Sequence, residues 1–339
     1  MSQRTSRHTS RQGEPGRSFT TLLAMGTLVA MTGCGDMDGA TGGKKPVAGP
    51  GDGARDEQRT GPFAADSEAT AGAYRDVFSR HGLDLAAHRF GAPVPRLFAA
   101  RMPEDMETLK ETELRRSVFV GTLLPIVLDV NARIRLERAR ILAVADRVQK
   151  GEPVHDFDRS WIDRLALRYG AENLRELLRR VDEIPPSLAI AQAAIDSGWG
   201  ASRFAQDGNA LFGQRLVNGE DGLRPAGYED DPGFRVAAFP DLTASVESYA
   251  LNLNTHPTYQ SFRLRRERQR EAADGGPLDG HALAATMHVY SARGWGYVVM
   301  VRSIIRDSRL QPLDNARLRP LSTGKGPAVA ASHAVHAVR

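Results

Sequence analysis

The chain of 339 residues contains a single cysteine, Cys34. That excludes an intramolecular disulfide and a thiolate metal cage, and no Cys/His spacing suited to a metal occurs, so neither a metal nor any other cofactor is expected. No apolar run approaches the roughly 20 residues of a membrane-spanning helix. The run Phe19–Met31 is too short, and the one around Leu123–Leu128 is broken by Pro125, Asp129 and Arg133. A basic body is lacking too. The net charge is +4, but residues 1–33 carry +3 (Arg4, Arg7, Arg11 and Arg17 against Glu14) and residues 313–339 another +3, so residues 34–312 sum to −2. A phosphate-tracking surface is excluded, and no nucleic-acid partner is expected.

What is present begins with an address. Four arginines precede the apolar run, and Thr32-Gly33-Cys34-Gly35 follows it. That is the positive, apolar, small-residue order of a secretory signal. The residues before Cys34 resemble a bacterial lipoprotein cleavage box, which implies lipidation of Cys34, membrane attachment through the lipidated N-terminus and a periplasm-facing place in the cell envelope. A plain signal peptide or a short anchor with an incidental cysteine stays open. Residues 34–65, rich in Gly, Ala, Asp, Lys and Pro, read as a disordered linker.

Residues 66–184 have helical periodicity. Tyr74, Val77 and Phe78 open an amphipathic stretch that Gly82 ends. Thr108–Gln149 reads as a core helix kinked near Pro125 that continues as an Arg-rich amphipathic helix. Trp161, Ile162 and Leu165 mark another helix, and Leu174, Leu177 and Leu178 a further one, with Arg168, Arg175, Arg179 and Arg180 as its solvated face. After residue 216 the periodicity lapses, and Phe234–Phe239 alternates like a strand, consistent with a small β-hairpin. Thr243–Asn254 reads as a helix, Leu264–Ala273 as a charged, exposed one, and two more follow over Gly280–Tyr290 and Tyr297–Arg306. His256 alone reads as structural. Residues 312–339 read as a disordered tail.

The centre of the sequence is Pro185-Pro186-Ser187-Leu188-Ala189-Ile190-Ala191-Gln192-Ala193-Ala194-Ile195-Asp196-Ser197-Gly198-Trp199-Gly200. Two prolines hold the approach extended, Ser187 is placed to cap, and the small apolar interior predicts a helix buried on most sides. Gly198 and Gly200 end it. Asp196 then sits on the last turn, where the negative end of the helix dipole and lost hydration both favour its protonated form. Two readings follow: a proton donor, or a carboxylate that ties down the Gly-rich turn.

This stretch, with Ser202-Arg203-Phe204 and Asn209-Ala210-Leu211-Phe212-Gly213-Gln214, resembles the catalytic signature of the bacterial glucosaminidases of glycoside hydrolase family 73, in their Bax-type branch. Asn252-Leu253-Asn254-Thr255-His256-Pro257-Thr258-Tyr259 and Tyr290-Ser291-Ala292-Arg293-Gly294-Trp295-Gly296-Tyr297 resemble two further family runs in the same order. The resemblance, over roughly residues 90–310, implies a mainly α, lysozyme-like α+β fold: a helical catalytic lobe with a small β-hairpin lobe over residues 185–311, preceded by a helical N-terminal region. It implies cleavage of the β-1,4 bond after N-acetylglucosamine in peptidoglycan glycan strands. It implies Asp196 as general acid, Glu229 as second carboxylate with Glu220 in reserve (solvated turn charges being the other reading), and Trp199, Asn209, Phe212, Gln214, Tyr259 and Tyr290 along a sugar groove, each with core packing as its alternative.

Two departures bear on mechanism. Asp196 stands where the family has Glu, and Ala292 where it has a second Glu, while an aromatic, Trp295, has entered beside it. Asp is shorter by one methylene, about 1.5 Å, and a displacement of about 1 Å can cost roughly 10²-fold in rate. The sequence therefore leaves three readings: a divergent hydrolase, a glycan-binding module without turnover, and an envelope scaffold with no glycan contact.

Overall fold

A computed structural model describes residues 70–216, 222–225 and 235–321. It is mainly helical with one two-stranded antiparallel pair, as expected. The order is α1 (Ala71–His81), α2 (Leu85–Arg89), α3 (Thr112–Gln149), α4 (Asp156–Tyr169), α5 (Leu174–Arg180), α6 (Pro186–Asp196), α7 (Arg203–Gly208), β1 (Arg215–Leu216), β2 (Arg235–Val236), α8 (Leu242–Thr255), α9 (Gln260–Ala272), α10 (Gly280–Leu283) and α11 (Trp295–Asp307), with short 3-10 turns between.

The α3 helix is the spine. It runs for 38 residues with Pro125 inside it, one helix that continues past the proline as expected. By length and composition it could cross a membrane, but 78 % of its most apolar window is buried inside the protein; it is core. Gly121 lets α1 close on it, since a Cβ there would meet the Phe78 ring at 2.6 Å. Against the other side of α3 lie α6 and α8.

Residues Pro186 to Ala194 of α6 are all buried, between α3, α10 and α11. Alanines at 189, 191, 193 and 194 allow this close approach from several sides. The core is one cluster running from Ala71 to Ala316. The region before residue 185 and the signature region thus share a single interior, as expected for a preceding segment that packs rather than reacts.

Several expectations need correction. Ser187 does not cap α6: Pro185 is the N-cap residue and Pro186 opens the helix without a side-chain cap. Asp314, from a 3-10 turn at Gln311–Asn315, accepts instead from Ser187 N (2.8 Å), Ser187 Oγ (2.8 Å) and Gly280 N (2.9 Å). The tail therefore begins later than 312; Val94 pairs with Leu318, and the described chain reaches residue 321.

The charged helix α9 is not simply exposed. Phe262, Arg263 and Arg266 are buried on it, because backbone carbonyls give the two guanidinium groups acceptors. Arg179 and Arg180 also turn inward, Arg179 to Glu267 (2.8 Å) and Arg180 to the carbonyls of Tyr169 and Thr255, whereas Arg168 and Arg175 are exposed as expected.

β1 and β2 pair in register Arg215↔Val236 and Leu216↔Arg235, with Leu223 bridging to Val236. The strand expected over Phe234–Phe239 is confined to Arg235–Val236.

Candidate active site

The turn after α6 forms because three successive residues adopt left-handed backbone: Gly198 (φ 60°), Trp199 (φ 60°) and Gly200 (φ 78°). For a tryptophan this conformation costs roughly 1–2 kcal/mol. Trp199 N closes it by donating to Ala194 O (2.9 Å). Ser197 staples it, its hydroxyl donating to Ala193 O (2.6 Å) and accepting from Gly200 N (2.9 Å). A Cβ at 200 would press on Met102 and Phe119 at 3.2–3.3 Å.

Since Ser197 holds the turn, Asp196 is free for other work. It is half-buried. Its Oδ2 accepts from the Tyr290 hydroxyl (3.0 Å) and its Oδ1 from the Tyr297 hydroxyl (3.1 Å). Desolvation pushes the carboxyl up to about 7, against the pull of the two hydroxyls and of the Arg293 charge, which favour ionisation. At neutral pH the group therefore holds its proton about half the time, where an ordinary aspartate, near 3.9, has lost it.

The partners are built to stay protonated. Burial first, then the nearby Asp196 charge, push the Tyr249, Tyr290 and Tyr297 hydroxyls well above their usual value. Behind them a buried chain continues: Gln192 Nε2 donates to Tyr297 Oη (3.4 Å), and Tyr249 Oη donates to Gln192 Oε1 (2.8 Å).

Tyr290 Oη also lies 3.3 Å from Phe212 O. A phenol has one proton and can accept as well as donate. With Asp196 ionised, Tyr290 gives that proton to the carboxylate. With Asp196 protonated on Oδ2, the acid can donate to Oη while Tyr290 turns its own proton to Phe212 O. Both charge states then keep their hydrogen bonds, which suits a group that must hold and release a proton.

The sugar groove expected from sequence is largely not built from the residues assigned to it. Phe212 (2 % exposed) is core, stacked on Tyr249 at 3.9 Å, and Tyr259 (3 %) and Tyr290 (4 %) are buried as well. Asn209 is buried with φ 51°, its Nδ2 donating to Phe239 O (3.0 Å). It shapes the end of α7 rather than facing a ligand. Trp199 is half-buried, set edge-on to Phe119 at 5.5 Å, with the Arg116 guanidinium 5.5 Å over its ring. Gln214 is half-buried beside Ser248 (3.1 Å), and its Oε1 has no partner.

Glu229, Glu220 and Cys34 lie outside the described residues. His256 is structural as expected, its Nδ1 accepting from Thr258 N (3.3 Å). Among the described residues no group of three or more His, Cys, Asp or Glu could hold a metal. Sequence reasoning missed Tyr297, Gln192 and Tyr249. The available signal was Tyr297, which shares one motif with Tyr290 and follows it by seven positions.

The half-buried Asp196 carboxyl thus ends a buried helix with a phenol on each oxygen, and the comparisons give the family of the chain around it. The family model for glucosaminidase (mannosyl-glycoprotein endo-beta-N-acetylglucosaminidase) matches residues 171–307. Protein bax of Escherichia coli (strain K12) is 31 % identical over 206 residues, covering 58 % of this chain and 70 % of its own. The chain belongs to the Bax-type glucosaminidase family. Among solved structures, the catalytic domain of the autolysin Auto from Listeria monocytogenes is similar at 17 % identity and TM-score 0.36, over 62 % of this chain and 93 % of its own.

Proposed function

We propose that the chain hydrolyses the glycan of peptidoglycan at the β-1,4 bond after N-acetylglucosamine, with Asp196 as general acid. One observation carries the proposal: the Asp196 carboxyl is desolvated to about 7 while both its oxygens are hydrogen-bonded by phenols. Hydrolysis of this kind needs an acid to protonate the leaving oxygen and a group to meet an oxocarbenium-like centre. Glu229, or failing it Glu220, is the chain's candidate for the second role. The substrate's own acetamido oxygen is the alternative, and it needs no second carboxylate.

A second reading draws on the same contacts and on the length of the side chain. Both Asp196 oxygens face buried hydroxyls, and the shorter side chain holds the acid nearer the helix than a glutamate would. A glycan-binding module with little turnover fits that retreat. Under either reading we place the protein in the envelope facing the periplasm, tethered by lipid on Cys34.

Muropeptide analysis after digestion of purified peptidoglycan separates the two. Release by wild type that Asp196→Asn abolishes supports the hydrolase. An inert wild type made active by Asp196→Glu establishes the binding module.

A further inference from the structure

The turn Ser291–Gly294 joins a 3-10 segment, Ala284–Val289, to α11. Two ring pairs bracket it, both separated by the same seven positions. Tyr290 and Tyr297 stack at 5.3 Å with 19° between planes and hold Asp196. His288 and Trp295 stack at 5.0 Å with 10° between planes. Positions two apart on a helix lie about 200° around the axis from each other, so when the tyrosines turn inward the second pair must turn out. It does: Trp295 is 63 % exposed.

With the sequence's other groove aromatics buried or covered, Trp295 is an exposed large ring in the same segment that carries the two Asp196-binding tyrosines. The imidazole of His288 backs one face and fixes the indole's plane. Among the described residues no ring or guanidinium covers the other face. The turn that holds the exposed Arg293 runs between Tyr290 and Tyr297, whose hydroxyls bind the Asp196 carboxyl at 3.0 and 3.1 Å, so the segment is anchored on the carboxyl. A flat, pre-set, half-open indole is suited to the apolar face of a sugar ring, because it offers large contact area at little cost in side-chain freedom.

We propose that Trp295, backed by His288, is a stacking platform for a further N-acetylhexosamine ring of the strand whose bond is presented to Asp196. This rests on the glycan reading above and adds to it a site outside the carboxyl's own. The platform lies beyond the bond to be cleaved, so it serves long strands and not short ones.

The test is calorimetric titration of the full chain, as wild type, Trp295→Ala and Trp295→Phe, with β-1,4-linked N-acetylglucosamine oligomers of two and six rings. Trp295→Ala should weaken binding of the hexamer about tenfold, the size of one aromatic contact, and leave the dimer unchanged; Trp295→Phe should stay within about threefold of wild type. Equal affinity of wild type and Trp295→Ala for the hexamer overturns the platform and leaves the glycan reading intact. An equal loss for dimer and hexamer also overturns it, since the indole would then act at the carboxyl itself. Failure of wild type to bind either oligomer overturns the glycan reading and the platform with it.

Discussion

Tyr290 and Tyr297 lie ring against ring at 5.3 Å and divide one carboxylate between them, each hydroxyl on a different oxygen of Asp196. Hydrogen bonds to the charged form lower a pKa, and burial of a carboxyl raises it. Here burial wins and the carboxyl settles at about 7. The tyrosines therefore set the upper edge of the pH range in which Asp196 can donate.

Removing one of them should move that edge. Tyr297→Phe deletes a donor to the ionised form, so the Asp196 pKa rises. A proton donor fails as pH climbs through its pKa, so the alkaline limb of the rate profile should move upward by about one unit, given ~1.5 kcal/mol for a hydrogen bond to a charged group. Tyr290→Phe should shift it in the same direction. A limb that stays put or moves down would show that the hydroxyls do not tune the acid.

Replacing the acid itself tests its role directly. General acid catalysis is worth about 10²–10⁴-fold, and Asp196→Asn should lose at least the lower figure in the rate of muropeptide release. Binding of insoluble peptidoglycan, read by co-sedimentation, should persist, because the amide keeps the shape of the carboxyl. Undiminished release by the amide variant would remove Asp196 from the chemistry.

Much of this was legible in the sequence, for reasons tied to particular residues. The small apolar side chains of Leu188 to Ala194 specify a buried helix wherever they occur, and Gly198 and Gly200 mark its stop. The raised pKa of Asp196 followed from that position. The groove residues were less legible, because an aromatic ring reads alike whether it lines a cleft or fills a core. Phe212 and Tyr259 proved to be core, and Trp295, noted only as a departure, is the exposed ring. Asp314 was hidden for another reason: its partner Ser187 lies 127 residues upstream, and no local pattern reports a contact of that range.

Asp196 and Asp314, whose carboxyls desolvation raises, should also make stability fall with rising pH. Asp196 and Asp314 are each pushed by burial from 3.8 to about 7. Between those values the folded chain holds protons that the unfolded chain has released, so the unfolding free energy declines as pH rises, and it levels off above about 7. At 1.36 kcal/mol per unit, each group contributes a slope worth a few kcal/mol across the window. Thermal melts at pH 4.5, 6 and 8 should show a falling midpoint. Asp196→Asn should raise the midpoint at pH 8 and leave it unchanged near pH 4, a gain in stability at the expense of function. A midpoint that rises from pH 4.5 to 8 would contradict the burial of these charges.

Arg266 should prove the most costly single loss outside the site. Its side chain is fully buried, and its guanidinium donates to the carbonyls of Arg179, Arg180, Asp182 and Glu183 and to Asn254 Oδ1. Those carbonyls end α5 and form the approach to Pro185, where α6 begins, and Asn131 grips the same approach through Ile184. Burial lowers the guanidinium to about 10, still charged at neutral pH, with the Asp182 carboxylate 3.9 Å away as counter-ion. Arg266→Met keeps most of the volume and removes every donor. It takes this donor from Arg179 O, Glu183 O and Asn254 Oδ1, while Arg180 O and Asp182 O keep Asp182 N and Asn254 Nδ2, and it strips the buried Asp182 carboxylate of a counter-ion, so it should destabilise by about 3–5 kcal/mol. Arg266→Lys keeps the charge but has three donors and no planar fork, so it should recover only part of the loss. Urea midpoints check the order, wild type above lysine above methionine. Equal midpoints for arginine and methionine would mean that this carbonyl cluster contributes nothing to holding the helix that carries Asp196 in place.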